Sequence, residues 1–311
     1  MRSLSPRSVL RERRRAAVAA DASDVSYRLL FESNPNPMWI YDAETLAFLA
    51  VNDAAVDSYG WSREEFLELT IADIRVPEEV ERLAAALRTA ERDAAVRAVV
   101  LTGAGRAFSA GRDVREMSRE TAERGPRAIS DQLRDRYNPV IVRLRAMEKP
   151  VIAAVNGVAT GAGLGIALAC DLRVASEEAA FVLSPVSIGL IPGAGMTRFL
   201  PALIGLARAS ELTFTGERID AHRALEIGLV NRVVPAADLA DAARVMASSM
   251  AALPTRAIGL TKRAFNHAVL PDLVAHLDYE AGLQEIAAGT DDHREGLAAV
   301  IGKRRPTFLG R

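Results

Sequence analysis

Residues 149–171 read KPVIAAVNGVATGAGLGIALACD, and the order of residue types in them decides the fold. Val151 to Val155 form an apolar, partly β-branched run of strand length, which predicts a buried β-strand. Asn156 and Gly157 follow as a turn signal, because both residue types tolerate positive φ. Gly161-Ala162-Gly163 then opens an Ala/Leu/Ile-rich segment over 164–170 that predicts a helix. A glycine-rich loop that delivers the chain into a helix N-terminus leaves backbone N–H groups unpaired and pointing outward. Such a loop suits an oxyanion or an anionic ligand. Residues 151–170 carry no charge, so their hydropathy also fits a membrane span. Asn156, Thr160 and the glycines at 157, 161, 163 and 165 fit strand–turn–helix better than one long helix. A buried βα corner without chemistry is the other reading these residues leave open.

A second segment extends this reading. Residues 95–102, AVRAVVLT, predict a buried strand, and Gly103-Ala-Gly105-Arg106 a loop after it. The chain continues AFSAGRDVREM over 107–117. This resembles the crotonase (enoyl-CoA hydratase/isomerase) superfamily, in which a loop of the form AF-x-AG-x-D-x-x-E-M supplies one half of an acyl-CoA site. The 149–171 segment resembles the other half. Three further stretches follow in the family's order: FVLSPVSIGLIPGAGMTRFL (181–200), LTFTGERIDAHRALEIGLVNRVV (212–234) and TDDHREGLAAVIGKRRPTF (290–308). The resemblance covers about Leu83 to the end of the chain. It implies an α/β fold, a crotonase-like spiral of ββα turns with a C-terminal helical region from about Ala236.

The N-terminal quarter reads differently. Arg2, Arg7, Arg11, Arg13, Arg14 and Arg15 face the single acid Glu12. Residues 1–24 are read as a basic, disordered, solvated start, with a basic arm or transit peptide as the alternative. Residues 25–77 predict two short strands, 38–42 and 46–51, joined by a turn at 43–45. Asn52 is placed to cap the next helix, and Ser62 with Glu65 to form a capping box. NDAAVDSYGWSREEF over 52–66 resembles the first half of a PAS domain, a small α+β fragment here without its later strands. The domain organisation expected is therefore 1–24, a partial PAS-like segment at 25–77, and a crotonase-like acyl-CoA domain at 78–311. The hairpin that opens the crotonase family has no counterpart before Glu78.

Composition bounds the partners. With 311 residues, half of them hydrophobic, the chain can bury one substantial core or one plus a small domain. A net charge of −1 gives no general pull toward nucleic acid or an anionic membrane, and 5% aromatics leave little for base stacking. A lone cysteine, Cys170, excludes an intrachain disulfide and reads as a small packing residue. His222, His267, His276 and His293 are far apart and form no ligand pair, so no metal is expected. The expected setting is cytoplasmic.

The resemblance also implies site residues. Arg112 and Ala162 would donate their backbone N–H groups to the enolate oxygen of a thioester. Ala110, Gly111, Asp113, Gly161 and Gly163 would shape that site. Lys262, Lys303 and Arg304 would meet CoA phosphates, with plain surface charge as the alternative for each. Asp113 reads first as the cap of the helix after it. The family's hydratases use two glutamates whose matching positions are Gly165 and Val186, and the aspartate of its isomerases and some hydrolases matches Gly193. With all three positions empty, ordinary hydration should be negligible, and Gly165→Glu with Val186→Glu should restore some of it. No cofactor is implied beyond the coenzyme A of the substrate. The family implies a homotrimer or a hexamer of two trimers. A non-catalytic acyl-CoA-binding homologue and a PAS-type sensor fusion are the alternative functions.

Overall fold

The computed structural model describes residues 31–32, 34, 38–42, 45, 47–59, 62–68 and 79–311. The basic start over 1–24 and the junction over 69–78 lie outside them. The chain divides into two compact units, Met1–Glu79 and Val80–Arg311.

In the first unit, β1 (Trp39–Tyr41) pairs antiparallel with β2 (Phe48–Val51), Trp39 opposite Val51, in a sheet of their own. Asn52 is fully buried and holds this unit together. Its Oδ1 accepts the N–H of Met38 (2.8 Å) and of Ala55 (3.0 Å), the second being the helix cap that the sequence predicts. Its Nδ2 donates to the carbonyls of Phe31 (2.9 Å) and Asn34 (3.2 Å). The capping box forms in both directions: Ser62 N–H donates to Glu65 Oε2 (2.8 Å), and Glu65 N–H to Ser62 Oγ (3.2 Å). Phe48 and Phe66 pack edge to face at 5.6 Å, beside Val51 and Ala55.

The second unit repeats a strand–corner–strand step. The pairs are β3 (Val99–Thr102) with β4 (Ala107–Ser109), β5 (Val151–Val155) with β6 (Val158–Thr160), and β7 (Leu172–Ser176) with β8 (Ala180–Val182). The first strand of each pair joins a parallel sheet of order β10-β7-β5-β3, where β10 is Arg232–Val234. The second joins a sheet of order β4-β6-β8-β9, where β9 (Arg218–Asp220) alone runs antiparallel. Every residue of β5 is buried, as a strand covered on both faces requires. The C-terminal region is helical: Leu239–Ala251, Thr255–Val269, Leu273–Ala288 and Asp291–Ile301.

The corner at Asn156-Gly157 works for a different reason from the one the sequence suggests. Neither residue has positive φ. Asn156 is there for its amide: Oδ1 accepts Gly103 N–H (3.0 Å), and Nδ2 donates to the carbonyls of Gly105 (3.0 Å) and Ala107 (3.2 Å). It therefore ties its own corner to the preceding one. Gly157 is there for space, because a Cβ would collide with the carbonyl of Arg106.

Candidate active site

The helix Gly161–Ala169 starts where β6 ends, and its first residues lack intrahelical carbonyl partners. The 107–117 loop is brought against that start at two glycines. Gly111 (φ 73°) and Gly161 (φ 53°) are both left-handed, and a Cβ on Gly161 would lie 3.7 Å from Gly111 Cα. Side chains at either position would strain the backbone, and one at Gly111 would also crowd the Thr160 carbonyl, 3.1 Å from an added Cβ.

This junction borders a cavity of about 300 Å³. Ala110, Gly111, Arg112, Gly161, Ala162 and Gly193 line it, among the residues the sequence singles out. The Arg112 N–H has no hydrogen-bond partner among the described residues. Met117, Ile129, Leu133, Leu190 and Met196 make the wall mostly apolar, and Tyr137, Ser184 and Ser187 add hydroxyls. Tyr137 ends a π-helical turn, Leu133–Tyr137, a deviation that recurs at functional sites. No carboxylate lines this cavity among the described residues.

The remaining expected residues sit elsewhere. Asp113 caps the helix Val114–Arg124, its Oδ1 accepting Arg115 N–H at 2.7 Å. Gly163 is packed against Ser109. Gly165 is buried against Ala194. Val186 does not line the cavity; its Cγ2 stands 3.4 Å from a Cβ built on Gly216. Lys262 is also away from the cavity. Its ammonium, buried and 2.7 Å from Asp171 Oδ2, also donates to the carbonyls of Leu144 (2.7 Å) and Lys149 (3.2 Å). All three of its protons are thus used inside the fold, and burial pushes its pKa down against the pull of Asp171. Arg304 is exposed and pairs with Glu295, and Lys303 adopts φ 51° just after the helix whose Val300 lines the cavity.

Two polar arrangements around the cavity carry no local sequence signal. The Arg112 side chain turns to Glu120, whose Oε2 also accepts Gln132 Nε2 at 2.8 Å. Burial lowers the Arg112 pKa, and Glu120 opposes that shift. Behind the cavity, the helix Leu273–Ala288 presents Glu280 and Gln284, four residues apart on one face. Gln284 Oε1 accepts Ile191 N–H (3.1 Å), and its Nε2 donates to the Ile191 carbonyl (2.7 Å). Glu280 accepts Gly195 N–H (2.8 Å), Thr197 N–H (3.2 Å) and the Thr197 hydroxyl. Together they fix the loop that carries Gly193. Burial raises the Glu280 pKa, and these bonds limit the rise.

A family model described as enoyl-CoA hydratase/isomerase matches residues 76–311, and a PAS-fold model matches 26–121. From Val80 onward, however, the chain is part of the second unit. The 1,2-epoxyphenylacetyl-CoA isomerase of Escherichia coli (strain K12) is 42% identical over 231 residues, covering 74% of this chain and 87% of that protein. A short-chain-enoyl-CoA hydratase of Clostridium acetobutylicum is 39% identical over 217 residues, covering 69% and 81%. The crystal structure of an enoyl-CoA hydratase from Mycobacterium avium subsp. paratuberculosis superposes with a TM-score of 0.63 at 33% identity, over 71% of this chain and 86% of that one. The family model and these relatives together show that the chain belongs, over residues 76–311, to the enoyl-CoA hydratase/isomerase family.

Proposed function

We propose that the cavity receives the acyl end of an acyl-CoA thioester, and that the N–H groups of Arg112 and Ala162 polarise its carbonyl and stabilise the enolate. The observation that supports this reading is the close approach of Gly111 and Gly161, with the residues that follow them, Arg112 and Ala162, both in the lining of one largely apolar cavity. Backbone donors in such a site need no reorganisation as charge develops, and losing one typically costs ~10²–10³ in rate. The relatives named above are CoA-thioester enzymes, which supports the substrate class. Lys303 and Arg304 follow the helix that supplies Val300 to the wall and are the cations offered to CoA phosphates. Assembly as a trimer or hexamer and a cytoplasmic setting belong to the same reading.

Among the described residues no carboxylate lines the cavity, which weighs against hydration by a glutamate pair. The hydroxyls of Tyr137, Ser184 and Ser187 are the groups on the wall that could relay a proton. That same lack of a carboxylate favours the second reading, a homologue that binds acyl-CoA without turning it over. The test compares butyryl-CoA with its thioether analogue, which lacks the carbonyl, by calorimetry. Tighter binding of the thioester supports the N–H pair, and equal affinity removes it. Loss of enoyl-thioester absorbance from crotonyl-CoA then separates catalysis from binding.

A further inference from the structure

A second cavity, of about 580 Å³, lies at the far ends of two helices that border the first. The helix Gly161–Ala169 gives Ala162 to the first cavity and Leu168 to the second. The helix Met196–Ile204 gives Met196 to the first, and Phe199 and Leu203 to the second. The second cavity has an unbalanced charge. Arg145, Arg173 and Lys262 line it, and Asp171 is the only carboxylate on its wall among the described residues. Cys170, also on the wall, stays a neutral thiol because burial pushes its pKa up to about 12.

Asp171 is shared by Lys262 (2.7 Å) and Arg145 (3.1 Å). Arg145 spends its other donors on Asn266 Oδ1 and the Ala169 carbonyl. Arg173 is different. It is 4% exposed, with Nε donating to the Leu229 carbonyl (2.6 Å) and Nη1 to the Cys170 carbonyl (2.9 Å). Its Nη2 has no acceptor among the described residues. Nη2 is not among the enclosed unpartnered atoms, so this open donor is accessible, and in a wall with two more cations than carboxylates it offers an anion a charge-assisted partner. The rest of the wall is apolar, with Phe199, Leu203, Met250, Ile258 and Phe265 contributing. Its volume is that of a small-molecule site. An inorganic anion would leave that surface wet, whereas an alkyl carboxylate satisfies both halves.

We propose that this cavity is a binding site for an aliphatic carboxylate of medium chain length, with its head at Arg173 and its chain along Leu203 and Phe265. The site is separate from the thioester cavity and does not depend on that cavity's reading.

The test is calorimetry on the full chain with decanoate, and with decanol as the uncharged analogue. Thr261 lines the cavity and is exposed, so it can be recharged without touching the core. Decanoate should bind, decanol should bind much more weakly, and Thr261→Glu should cost about tenfold in affinity through like-charge repulsion. Thr261→Lys should keep or strengthen binding, and Arg173→Met should abolish it. Saturating butyryl-CoA should leave decanoate binding intact. Absence of decanoate binding, equal binding of decanol, indifference to Thr261→Glu, or displacement by butyryl-CoA would each overturn the assignment. Should Arg173→Met fail to fold, the Thr261 pair still decides.

Discussion

A Cβ built on Gly165 stands 2.5 Å from the carbonyl oxygen of Ala194 and 2.7 Å from its Cβ. The helix Gly161–Ala169 therefore touches the Gly193–Met196 loop through a glycine, and the obstacle is backbone, not a side chain that can swing away. The family resemblance implies that Gly165→Glu with Val186→Glu would restore some hydration if the pocket tolerates the added volume. The local packing speaks against that gain at both positions. Gly165→Glu must push the loop, and Val186 sits toward Gly216 instead of on the cavity wall. The double variant should show no gain in crotonyl-CoA hydration. Overpacking by Gly165→Glu should cost at least about 1–3 kcal/mol, read as a lower urea midpoint.

Gly193 behaves oppositely. It lines the cavity, its φ lies outside the left-handed region, and an added Cβ would meet only side-chain atoms, Gln284 Nε2 at 3.1 Å and Leu133 Cδ1 at 3.3 Å. Gly193→Asp should therefore fold and place a carboxylate on a wall that has none among the described residues. Its proton-transfer contribution is about 10²–10⁴. The measurement is exchange of the α-hydrogens of butyryl-CoA in deuterated water, followed by mass spectrometry. Exchange no faster than in the unmodified chain would mean that the carboxylate does not reach the acyl α-carbon.

The strand and the helix of the 149–171 segment were legible because each rests on a local pattern, β5 as an unbroken apolar run and the Gly161–Ala169 helix as a glycine start followed by small apolar residues; the three-residue β6 between them was not. The turn at Asn156-Gly157, which joins β5 to β6, was legible too, yet its physical role was not, since a side chain bridging to Gly103 and Ala107 leaves no mark in the turn itself. The site divides the same way. Arg112 and Ala162 could be named because both fall in family motifs, but their meeting depends on contact between Gly111 and Gly161, 50 residues apart. Nothing local announces that Glu280 and Gln284 bind backbone about 90 residues earlier. The direction of Val186 on the short 3₁₀ turn Pro185–Ile188 is likewise set by packing against Gly216. Lys262 was named as a phosphate contact by resemblance to the family's C-terminal basic residues; its ammonium is instead turned inward onto Asp171 and two carbonyls.

Lys262→Met should accordingly act on stability and not on CoA affinity. It strips a buried ammonium from Asp171 and from the carbonyls of Leu144 and Lys149. Breaking one side of a buried pair costs about 3 kcal/mol or more, and the part-exposed Asp171 puts this case at the low end. Chemical unfolding should show that loss, while butyryl-CoA affinity stays unchanged. A large fall in affinity with intact stability would return Lys262 to the phosphate site.

His293 gives the chain a predictable response to acid. It is fully buried in the first turn of the helix Asp291–Ile301, with Nδ1 2.6 Å from the Ile188 carbonyl and Nε2 buried without a partner. Its backbone lies against Gly189, where a Cβ would come within 2.6 Å of His293 N. Burial lowers the His293 pKa from the ordinary 6.5, and Arg294 adds to that, while the bond to Ile188 opposes it. The unfolded chain therefore binds a proton at pH values where the folded chain does not. Stability is fully present above pH 6.5 and falls as pH drops through 6.5 toward the lower folded value. His293→Gln can keep a side-chain donor to Ile188 but cannot titrate. The variant should lose part of the slope of melting temperature against pH below 6.5, even if it is less stable at neutral pH. Glu280 and His276 titrate equally in both proteins, so the difference between the two curves isolates His293. Parallel curves from neutral pH down to about pH 5 would show that the last helix docks on Ile188 without any cost from a buried neutral histidine.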